Sequence, residues 1–219
     1  MKKLLLVLGV LMIFAVSGMA QTEGIGITAK GIKAGINLAN IYGDDVDESD
    51  MLLGFGGGVF MEYSFTPQFA VQPEVLFMMK GATTTEVEDE ESIDIDWKFN
   101  YIEIPVLLKF KPAMEGNFKP NVFAGPAVGL LLSADAEPDG GESEDVKDFF
   151  KSMDFGITFG AGFMYMMQNG SGITFDIRYT LGMMKIGDGE EMYAAEMSDT
   201  NEDPDLKTNN ISFMVGYSF

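Results

Sequence analysis

Seven ionisable side chains stand on the polar faces of alternating stretches: Lys33, Glu62, Glu74, Glu103, Lys109, Asp176 and Arg178. Neighbouring carboxylates can do acid–base chemistry when a cleft separates their proton affinities. Here bases accompany the acids in nearly equal number, so the chemistry on offer is ion pairing. Two outcomes are open: a narrow charged ion path, or a structural network that fills its enclosure. The chain has no Cys and no His. That removes thiol nucleophiles, imidazole bases and His/Cys metal centres. No cofactor is expected, and no catalytic constellation stands out.

Glycine-rich stretches invite a phosphate-loop reading. "GFGGG" (54–58) and "GITFGAG" (156–162) carry no G-x-G-x-x-G register and no P-loop lysine. Gly56, Gly58, Gly156, Gly160 and Gly162 share the inward face of their stretches, where they leave room for long side chains such as Arg178. Acidic runs "DDVDESD" (44–50), "EVEDEESIDID" (86–96) and "NEDPD" (201–205) offer hard oxygen ligands suited to Ca²⁺. They lack the spacing of a calcium loop, so a loop-bound divalent cation stands beside solvated, repulsive loops as an alternative. The formal charge of -20 excludes nucleic acid as a partner.

The elements that must position these residues alternate at period 2, which marks strands. Eight such stretches occur: 31–41, 54–65, 69–80, 101–110, 121–132, 154–165, 172–181 and 211–219. The fifth, "NVFAGPAVGLLL", alternates poorly. One face of each is bulky and often aromatic; the other holds Gly, Ser, Thr and charge. Each is about 9–12 residues, the length of a tilted transmembrane strand. A soluble sandwich buries the bulky face, whereas a membrane barrel turns it to lipid. Alternation cannot choose between them, but the connections can. Long loops (41–53, 81–98, 133–153, 185–208) alternate with short turns (66–68, 112–120, 168–171). That is the arrangement of an outer-membrane barrel, with turns periplasmic and loops extracellular. Charge follows the same division: 27 of the 34 acids lie in the four long loops. The expected fold is all-β, an eight-stranded antiparallel up-and-down transmembrane β-barrel.

Residues 1–20 read as a signal peptide, with Lys2 and Lys3, an apolar run and a small-residue site at Ala20; the barrel domain is expected over 21–219. Within the third loop, Val146, Phe149, Phe150 and Met153 lie at helical spacing behind Asp145 as an N-cap. A short helix folded onto the barrel rim is expected there, with a partner-docking helix as the alternative.

"GIKAGINLANIYG", "FAVQPEVLFMMKGA", "NYIEIPVLLKF", "FAGPAVG", "DFGITFGAGF" and "DIRYTLG" together resemble the strand motifs of the porin-family outer-membrane β-barrel domain, the PorT-like barrels of Bacteroidota. The resemblance spans nearly all of the chain beyond the leader. It implies an eight-stranded barrel in the cell outer membrane and no single activity; one branch serves a secretion apparatus. The expected role is non-enzymatic, structural or interaction-based. A small passive pore or uptake channel, and an assembly or secretion component, are the alternatives. Expected partners are outer-membrane lipid, the barrel-assembly machinery and an unidentified protein, with the barrel itself a monomer.

The terminal "ISFMVGYSF" alternates to its last residue and is expected to pair with the first strand, since an open sheet edge cannot lie in lipid. Tyr217 and Phe219 then belong to the interfacial aromatic girdle. The resemblance adds that such an aromatic terminus is the signal the assembly machinery reads. Deleting Phe219, or the change Phe219→Asp, is expected to lower the amount of heat-modifiable barrel recovered from outer membranes, measured by gel shift against wild type.

Overall fold

The computed structural model describes residues 25–46, 49–88, 91–194 and 202–219. The segment expected to be a signal peptide, 1–20, lies outside them, as do parts of the acidic loops. Eight long strands form the wall: β1 (Gly26–Tyr42), β2 (Asp50–Ser64), β3 (Phe69–Glu88), β4 (Glu91–Phe110), β5 (Phe118–Pro138), β7 (Met153–Met166), β8 (Gly172–Gly182) and β9 (Lys207–Ser218). A two-residue piece, β6 (Glu144–Asp145), pairs on top of β5. Each wall strand is antiparallel to its neighbours, and β1 pairs with both β2 and β9, so the sheet closes into a ring.

The closing seam runs from Gly31↔Ser218 to Tyr42↔Lys207 without a shift. At its lower end the Phe219 N–H donates to the Lys30 carbonyl at 2.9 Å. The alternation sorts the faces as the sequence reading expects. Outward residues such as Ile32, Ile36, Phe55, Leu108, Phe159, Ile177 and Val215 are exposed, while inward Lys33, Glu74, Thr158, Arg178 and Ser212 are buried. This is a protein inside out, with its apolar side chains suited to lipid and its charges enclosed. At the end bearing the short turns, aromatic rings form a collar. Phe69 packs against Phe110 with centroids 5.2 Å apart, and Phe163 lies 5.0 Å from Phe118 and 5.6 Å from Phe175. The turn after β7 uses Gly170 at φ 84°, a left-handed conformation open to glycine at low cost.

Two expectations are corrected. The segment 81–98 is not a loop: β3 and β4 stay paired up to Glu88↔Glu91, and β5 follows them up to Ile95↔Pro138. The stretch "SIDIDWKF" still alternates, with Ile95, Trp97 and Phe99 facing in, so the strands continue past the apolar belt. The fifth stretch, poorly alternating, is a strand as expected, the 21-residue β5; small Ala and Gly residues blur its pattern without breaking its ladder. The helix expected around Val146–Met153 shrinks to a single 3₁₀ turn, Lys147–Phe149. Asp145 does cap it, its Oδ1 accepting from the Lys147 N–H at 3.0 Å. The chain then straightens, because Phe150 bridges to Gly187 of the fourth loop and Met153 already belongs to β7.

That straightening makes a plug. Phe150 stands edge-on to Phe99, 4.7 Å between centroids, and near Trp97 at 6.4 Å. Val146, Ile186, Ile41, Leu131 and Ala134 complete one buried cluster at the loop end. The fourth loop is tied to the third by Lys151 N–H to Ile186 O (2.7 Å) and Asp188 N–H to Phe149 O (2.9 Å). It also carries the short helix α1 (Gly189–Ala194). Exchange of a buried aromatic for Ala typically costs about 3–5 kcal/mol. Phe150→Ala is therefore expected to free the cap while sparing the wall: chymotrypsin should cut within 146–153 about tenfold faster, with heat modifiability of the barrel unchanged.

Candidate functional site

Among the described residues, the lumen is the one place where charge, burial and convergence coincide. All seven residues singled out from the sequence point into it and are buried. The closed eight-stranded ring brings them together in tiers, because inward positions on neighbouring strands stack at the same height.

The tier nearest the short turns holds Glu62 between two lysines. Its Oε2 lies 3.1 Å from Lys109 Nζ, and its Oε1 accepts from Lys111 Nζ at 2.6 Å. The Thr28 hydroxyl adds a bond to Glu62 at 2.9 Å, and Lys109 also donates to Gln72 Oε1 at 2.9 Å.

The middle tier is a closed four-member circuit. Lys33 Nζ donates to Glu74 Oε1 (2.8 Å) and Asp176 Oδ2 (2.7 Å). Arg178 forks across the same two acids, Nη1 to Glu74 Oε2 at 2.7 Å and Nη2 to Asp176 Oδ2 at 2.9 Å. Gln72 Nε2 donates to Glu74 as well. Two aromatic faces complete the enclosure: Lys33 lies 4.8 Å from the Phe60 ring centroid, and the Arg178 guanidinium 5.4 Å from that of Phe123. Such stacking offsets part of the lost hydration of each cation. Gly160 makes room for it, since a Cβ there would sit 2.7 Å from the Phe123 ring.

The tier nearest the loops holds Lys80 between two acids, 2.6 Å from Glu103 Oε2 and 3.7 Å from Asp154 Oδ2. Thr208 donates to Asp154 at 2.9 Å. Beside it Asn37 receives Asn210 Nδ2 (2.9 Å) and the Ser212 hydroxyl (2.8 Å). Above lies the apolar plug.

Two bases face one acid in the first tier, two face two in the second, and one faces two in the third, so the lumen is neutral as a whole. Sequence reading assembled seven of these groups and left out Lys80, Lys111 and Asp154. The alternation of their strands already places Lys80 and Asp154 on the inner face, so that signal was present. Phe60 and Phe123 were missed for a better reason: an inward aromatic breaks the rule that bulky residues face lipid.

The carboxylates are met by these bases and by the Thr28, Gln72 and Thr208 side chains. Among the described residues, no group of three acids is placed to hold a metal ion. Among the described loop acids, the ion pairs are single ones: Lys98–Glu137, Lys151–Asp203 and Lys207–Asp205. The bond from Lys151 holds the Asp203 carboxyl below the usual aspartate range.

Residues 19–188 match the model of a family described as outer membrane protein beta-barrel domain. No curated protein matches the sequence significantly. Among solved structures, the chain is similar to Neisserial surface protein A, at 13% identity over 87% of this chain and 97% of that one, TM-score 0.48. It is also similar to OprG of Pseudomonas aeruginosa (14% identity, 90% and 98%, TM-score 0.46) and to Ail of Yersinia pestis (16%, 89% and 99%, TM-score 0.41).

Removing one partner of a buried ion pair strands the other, at a cost of about 3–5 kcal/mol. Glu74→Ala leaves Lys33 and Arg178 sharing Asp176 alone, and is expected to lose stability on that scale in urea unfolding of the refolded barrel. Lys98→Ala, which breaks the half-exposed pair with Glu137, should cost less than about 1 kcal/mol in the same assay.

Proposed function

The chain belongs to the outer-membrane β-barrel domain family, and from that premise we propose that it is a non-enzymatic structural or interaction protein of the outer membrane. The barrel is its anchor and the acidic loops are its working surface. The single observation that supports this reading is the filling of the lumen. Three successive tiers of buried ion pairs stand in it, and an apolar plug built on Phe150 covers the loop end. A conducting pore keeps a wet path, whereas here successive tiers of paired side chains occupy the interior of a narrow ring.

On this reading residues 1–20 export the chain, the turns lie in the periplasm and the loops outside. The barrel works as a monomer in outer-membrane lipid. Tyr217 and Phe219 are the assembly signal presented to the barrel-assembly machinery. Their rings lie 6.4 Å apart at the collar, with Phe219 tied to β1. Kinship with the PorT-like barrels of Bacteroidota is the finer assignment that the strand motifs favour.

Planar-bilayer recording tests the closed lumen. The refolded protein is expected to show no stepwise conductance above the bilayer baseline at 1 M KCl, a salt level on the order of that which screens surface charge within about 3 Å. Steady single-channel steps would overturn the reading in favour of a passive pore.

A further inference from the structure

The sheet does not stop at the apolar belt, and one of its edges is left open. β2 pairs with β3 only as far as Asp50↔Thr83, while β3 stays paired to β4 up to Glu88↔Glu91. Among the described residues, 84–88 therefore carry strand pairing on the β4 side alone. On the other side β5 pairs with β4 up to Ile95↔Pro138, and β6 pairs with β5 at Asp135 and Ala136. Among the described residues, the β3 edge at 84–88 is thus open at the level where the sheet leaves the membrane. An unpaired edge presents backbone donors and acceptors ready for another strand.

The charge around that edge decides what can occupy it. Between Lys80 and Lys98 the sequence holds seven acids and no base. A second copy would bring acid against acid, so self-pairing is disfavoured, which is how natural edges resist aggregation. The outer face of the same sheet is shaped as well as charged. A groove of about 580 Å³ runs across it, lined by Thr83, Asp94, Asp96, Glu137 and Asp139. Thr83 and Thr85 donate to Asp96 (2.6 Å) and Asp94 (2.7 Å), so these carboxylates are held at fixed positions two residues apart on one face. That spacing is the side-chain repeat of a strand.

We propose that the free edge of β3 at 84–88 accepts an extended segment of a partner protein carrying Lys or Arg at alternate positions. Its backbone continues the sheet, and its basic stems reach over the threonines to Asp94 and Asp96. This is strand addition, with main-chain bonds supplying affinity and alternate side chains supplying selection. The inference rests on the interaction reading above and names the surface and the chemistry of its partner.

The test uses the full refolded barrel in detergent micelles and a synthetic eight-residue peptide alternating Lys and Val. Two control peptides carry N-methyl groups on the odd or on the even backbone amides, which keep the charge and remove the donors. The parent peptide is expected to bind by isothermal titration and to weaken several-fold when salt rises from about 0.05 to 0.3 M. One methylated peptide should bind at least tenfold more weakly than the parent, because only one set of amides faces β3. The double variant Asp94→Asn, Asp96→Asn should bind the parent several-fold less well. Absence of parent binding, or equal binding by all three peptides, overturns the proposal; the second result would leave charge attraction without strand addition. Neither result touches the closed lumen, which conductance decides separately.

Discussion

Everything in this molecule follows from one constraint: no backbone N–H or C=O can be left unpaired in lipid. A sheet in that setting has to close, and the β1–β9 seam closes this one. Closure with eight strands leaves an interior only wide enough for side chains. Any charge on the inner face must then find an opposite charge within that narrow space. The three tiers of Glu62, Glu74 and Glu103 with their lysines and Arg178 are the result.

Those tiers bear on specificity more than on stability. A buried pair gains little over well-packed apolar residues, but a half-broken one is costly. A slip of one residue in any strand would turn its inward charges toward lipid and its aromatics into the lumen. Lys33 and Glu74 stand on strands separated by β2, and Asp176 and Arg178 on β8 beyond β9. The circuit therefore closes only when all of these registers are correct.

The loop end obeys different physics. Outside the hydrocarbon, backbone groups can pair with water, and acids need no partner. There the strands run on as a projecting sheet, acids accumulate, and among the described residues the extensive apolar packing is the cluster around Phe150. Lumen and loop end are thus electrically separate: the lumen is neutral by pairing, and the long connections hold 27 of the chain's 34 acids. The barrel can be held constant while the outer surface varies in what it presents.

The sequence by itself determined the class of fold, the strand faces and the segregation of charge. All three are encoded in a period-2 pattern that neighbours along the chain suffice to reveal. It also brought out seven of the lumen charges, because each occupies the polar face of its own strand. The tertiary structure alone decided who pairs with whom. Lys33 meets Asp176 across 143 residues of sequence, and no local pattern carries that information. It decided that Phe60 and Phe123 face inward to cover cations, against the local rule for aromatics. It replaced an expected helix with an extended wedge, since Phe150 gains more from Phe99 and the strand bridge to Gly187 than a lone helical turn could supply. And it ran β3 and β4 on through an acid-rich stretch that composition marks as loop, because each strand's ladder is completed by the other.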